Sequence, residues 1–78
     1  MDAIEVTARF DLQGDIHPIS FTCQGKTYQI TSTGRHWQDE QGKHILVMIP
    51  GERVVELVFD PTRGLWFLNP TGPERGLA

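Results

Sequence analysis

The sequence predicts an all-β fold: a small antiparallel meander of six or seven strands, drawn into a strongly bent sheet or small barrel. Three observations predict it. Apolar and polar residues alternate with a period of two, turn-forming clusters return every roughly eight to twelve residues, and no stretch shows helical periodicity.

The first strand is the clearest. Ile4, Val6, Ala8, Phe10 and Leu12 alternate with Glu5, Thr7, Arg9 and Asp11, which in a strand puts the five apolar side chains on one face. "QGD" breaks it. His17-Pro18 opens the second strand, where a proline is tolerated, and Ile19, Phe21 and Cys23 continue the inward face. The turn "QGK" leads into Tyr28 and Ile30. A two-residue loop on Gln24-Gly25 or on Gly25-Lys26 keeps Phe21, Tyr28 and Ile30 on one side, so parity predicts the hairpin without choosing between type I′ and type II′. Further turns at "DEQGK", "PGE" and "DPTRG" separate three more strands, "HILVMI", "RVVELVF" and "LWFLN". Residues 1–69 read as one β domain. The tail 70–78, rich in proline and glycine with nothing to bury, is expected to be disordered.

Composition bounds the function. A chain of 78 residues buries only roughly 60% of its unfolded surface, so association would supplement a small core. One cysteine, Cys23, permits no internal disulfide and fits a reducing compartment. The N-terminus lacks the basic start and unbroken apolar run of a signal peptide, and no apolar segment approaches the roughly 20 residues of a membrane span; the expectation is a cytoplasmic protein without a membrane partner. The net charge of −3, with the seven basic residues evenly spread, offers no basic block for nucleic acid.

Trp37 poses the sharpest question. An uninterrupted strand from Tyr28 would leave it outside, whereas a bulge at Thr33-Gly34 inverts the parity and turns Arg35 and Trp37 toward the core. The area an indole buries favours the bulge. The three C-terminal strands are apolar on both faces and need cover on both. Either curvature and overhanging loops supply it, or a partner does, most simply a second copy; Met48, Val58 and Trp66 are the candidate interface.

Chemistry finds little purchase. His17, Cys23, His36 and His44 lack the paired spacing of zinc ligands, the acidic pairs fall in turns and on solvated strand faces, and the glycines sit singly; neither an enzyme nor a cofactor is expected. The alternative is a single-stranded nucleic-acid module in which Lys26, Tyr28, Arg35, His36 and Trp37 form a stacking surface.

Phe21, Gly25-Lys26, Tyr28, Ile30, Arg35-His36-Trp37 with Asp39, and Leu65-Trp66-Phe67-Leu68 together give a pattern that resembles a family of small bacterial all-β domains of unknown function. Cys23 departs from it, standing where an aromatic would extend the stacking surface. Members of that family also occur attached to Y-family DNA-polymerase-like proteins, so the resemblance implies an accessory role near DNA repair. It brings no catalytic residues with it.

Overall fold

The structure, a computed structural model, describes residues 3–69, which form one seven-stranded antiparallel sheet curled into a half-barrel. The strands are β1 (Ala3–Phe10), β2 (Ile16–Cys23), β3 (Lys26–Gln29), β4 (Ser32–Asp39), β5 (Gly42–Ile49), β6 (Arg53–Asp60) and β7 (Leu65–Asn69). No helix occurs among the described residues, and the expected disordered tail 70–78 lies outside them. The all-β meander predicted from the sequence is therefore present, with seven strands.

The spatial order is β3-β2-β1-β7-β6-β5-β4, so the first strand lies beside the last. Their ladder is short: Ala3 opposite Phe67 and Ile4 opposite Trp66. The two edge strands, β3 and β4, are consecutive in the chain. Their link is pinned at both sides, Ile30 N–H donating to the Ile19 carbonyl and Thr31 N–H to that of Met48.

Turn chemistry follows the residues. Gln24 and Gly25 both take positive φ, 54° and 80°, while Cys23 pairs with Lys26, which makes the β2–β3 loop a two-residue type I′ turn. Asp11 ties the β1–β2 loop through Oδ1, which accepts the Gln13 and Asp15 amides. Asp60 does the same before β7 for Thr62 and Arg63.

The inner face holds the core: Ile16, Phe21, Ile45, Val47, Ile49, Val55, Leu57 and Trp66, with Ile4, Val6, Tyr28, Phe59 and Leu68 against it. Leu57, fully buried, lies at its centre and pairs with Ile45 and Leu68 across the strands. Val47 is 1% exposed. Val47→Ala is expected to lower stability by about 2 kcal/mol through lost burial and a residual cavity, measured by chemical denaturation.

Three inward placements from the alternation do not hold. β1 ends at Phe10, so Leu12 falls in the turn and is fully exposed, and Phe10 at the strand end is 60% exposed. Ile19 is also exposed. The register of β1 on β2 shifts between Thr7 and Ala8, leaving Ile19 as the extra residue of a bulge, and Pro18 and Ile16 take the buried positions instead.

Candidate functional site

The bulge expected near Gly34 is present: Thr33 pairs with Val47 and His36 with Ile45, so Gly34 and Arg35 together face Leu46. Trp37 nevertheless lies on the outer face. The break at Ile30-Thr31 inverts the parity once before the bulge inverts it again, and the two inversions cancel. Trp37 is half-buried opposite His44, its ring stacked on the imidazole with centroids 5.0 Å apart and planes 10° apart. The Arg35 guanidinium sits 5.4 Å from the indole centroid.

Beneath that indole is the most polar buried group of the described residues. His44 is 3% exposed and Glu56 6%. His44 Nδ1 lies 2.6 Å from Glu56 Oε2 and Nε2 lies 2.7 Å from Asp39 Oδ1, while Asn69 Nδ2 donates to the same Glu56 oxygen at 3.1 Å. A carboxylate at each nitrogen favours the imidazolium, the form in which both ring nitrogens donate. Burial works against that charge, but the bonds to Glu56 and Asp39 outweigh it and hold the His44 pKa above its ordinary value. The bond from His44 lowers the Asp39 carboxyl in turn.

Around this group the outer face is apolar. Leu46, Met48, Val54 and Phe67 are half-buried, Val58 is buried between His44 and Phe67, and Leu65 is exposed. Met48 and Val58 of the expected interface therefore share this face. Trp66 does not: its neighbour across the ladder is Phe59, the rings are 4.9 Å apart, and it belongs to the core of the opposite face.

The expected stacking surface is divided. Lys26 lies over the Tyr28 ring, which stacks on Phe21 at the β3 edge, whereas Arg35 and Trp37 are on β4, at the other end of the strand order. His36 is exposed and points to the inner side of β4, opposite Ile45.

Two recesses lie near the β4–β5 hairpin. One, about 400 Å³, lies on the outer face beside Val58, Phe67 and Arg63, whose guanidinium is 5.3 Å from the Phe67 centroid. The other, about 390 Å³, opens between the start of β2 and the end of β4. Among the described residues no group of three or more His, Cys, Asp and Glu side chains is placed to hold a metal ion, and no helix is long and apolar enough to cross a membrane.

The buried His44–Glu56 pair, with the more exposed Asp39 at its rim, is not announced by any ligand-type spacing in the sequence. A usable signal was there. A polar residue at a buried position in each of two adjacent, largely apolar strands has to find a partner, and the "PGE" hairpin brings His44 and Glu56 together.

No protein-family model, curated protein or solved structure matches this chain.

Proposed function

We propose that this chain is a binding module without catalytic activity of its own, acting in the cytoplasm, and that the outer face of β4–β7 is its partner surface, joining first to a second copy. The observation that carries this reading is the apolar band of Leu46, Met48, Val54, Val58 and Phe67, whose central charges, His44 and Glu56, are buried and paired with each other. A band of that kind across three strands is self-complementary under a two-fold axis, because the same patch can meet itself without stranding a charge. It also supplies the burial that a short chain lacks.

Light scattering after size exclusion, at low and high salt, tests it. The expected mass is twice that of the chain at both salts, and Met48→Glu should weaken the dimer about 100-fold by placing an unpaired carboxylate in the apolar contact. A salt-independent monomer sinks the reading. Binding to single-stranded oligonucleotide that falls steeply with salt would instead make the Arg35–Trp37 end of this same face a nucleic-acid surface.

A further inference from the structure

The half-barrel is open between the start of β2 and the end of β4. β3 covers only Ser20–Cys23 of β2, so Ile16–Pro18 carry no ladder on that side. Across the opening, β4 has β5 as its one ladder neighbour among the described residues. The space between them is the recess of about 390 Å³, with Asp15 and Ile16 on one wall and His36, Gln38, Lys43 and Ile45 on the other.

We propose that this cleft takes up an extended peptide segment of another protein as an added strand, with a carboxylate side chain of that peptide on Lys43. The main-chain part of the recognition is set by β4: alternate residues of an edge strand turn their N–H and C=O groups away from the existing ladder, which is what an incoming strand pairs with. The bulge at Gly34-Arg35 confines regular pairing to the half after it, His36–Asp39, so the segment is short. Ile16 and Ile45, both core residues, give an apolar floor for a side chain between the walls.

Charge selects the occupant. Lys43 is half-buried on the inner side, opposite Phe59 and Gln38, and forms no ion pair among the described residues. The other basic side chains of the cleft are already engaged: His17 with Asp11, and His44 with Asp39 and Glu56. Only the exposed His36 stands with Lys43 on that wall. A second copy entering by its own β4 edge over His36–Asp39 would bring only His36 and Gln38 to the inner side and no carboxylate for Lys43, since Asp39 is on the outer face and bonded to His44, so a foreign acidic strand fits where a self-paired edge does not. Asp15 on the β2 wall fixes the orientation, since it leaves the β4–β5 side as the place for a carboxylate.

The test is an amide NMR titration of the full chain at low salt with two peptides, acetyl-Val-Thr-Glu-Thr-Val-amide, whose valines share the face of its glutamate, and its twin with lysine for the glutamate. The expected result is saturable shifts and slowed hydrogen exchange at His36–Asp39 with the glutamate peptide, about tenfold weaker binding of the twin, and loss of that preference in Lys43→Gln. Absence of saturable shifts in β4 up to about 1 mM peptide overturns the proposal. Equal binding of the twin, or shifts gathered at Leu46 and Met48 on the outer face, overturns it as well. Should Lys43→Gln not fold, the comparison of the two peptides on the unaltered chain decides alone.

Discussion

Gly42→Ala is expected to unfold the protein. Gly42 opens β5 directly after the Glu40-Gln41 turn, pairs with Asp39, and holds φ at +136°, where an L side chain is strained. A methyl group there would overlap the Phe59 carbonyl oxygen of β6, which is backbone in a paired strand and cannot rotate aside. Strain and overlap together are set at about 4 kcal/mol, close to everything that a core of this size supplies. Circular dichroism should show no cooperative thermal transition, whereas alanine at Gly14, which meets nothing within 4 Å, bears only the cost of its positive φ.

His44→Ala is the second large effect. It strands the Glu56 carboxylate at a buried position with Asn69 as its remaining side-chain donor, removes the surface on which Trp37 stacks, and is expected to cost about 3 kcal/mol at pH 6. The pH dependence carries the signature. Because the folded-state pKa of His44 is raised, its contribution is complete below the ordinary imidazole value of about 6.5 and disappears as pH rises through the raised value. Asp39 is lowered, so its smaller contribution is present above the ordinary carboxyl value and lost as pH falls through the lowered one. Stability by urea denaturation should therefore peak in mild acid and decline toward alkaline pH, and His44→Ala should flatten the alkaline side. A wild-type curve still rising above pH 8 would contradict the doubly bonded imidazolium.

The strands were legible because burial on one face writes a period-two pattern into the sequence and because Gly, Pro and Asp punctuate it. The Gln24-Gly25 hairpin, the Gly34 bulge and the three C-terminal strands all follow from such local rules. Faces were less legible than strands. Each irregularity inverts every side chain after it, so the break at Ile30-Thr31, which has no glycine or proline to mark it, was enough to put Trp37 on the opposite side from the one expected. Trp66 went the other way: in a strand apolar throughout, neither face announces itself. The β1–β7 ladder and the cleft it leaves open depend on residues far apart in the chain, and no local pattern encodes them. His44 and Glu56 lie between these cases, each visible alone and meaningful only as a cross-strand pair.

The short β1–β7 ladder also bears on how the chain reaches this state. The hairpins of β2–β3 and of β4 through β7 join near neighbours and need little loop closure, but Ile4 and Trp66 must meet across roughly sixty intervening residues. The slow event in folding is then the encounter of two preformed pieces, strands one to three and strands four to seven, rather than the zipping of any hairpin. Until they meet, the apolar face of each piece is open to solvent, and the interval before they do is when the chain is most exposed to aggregation.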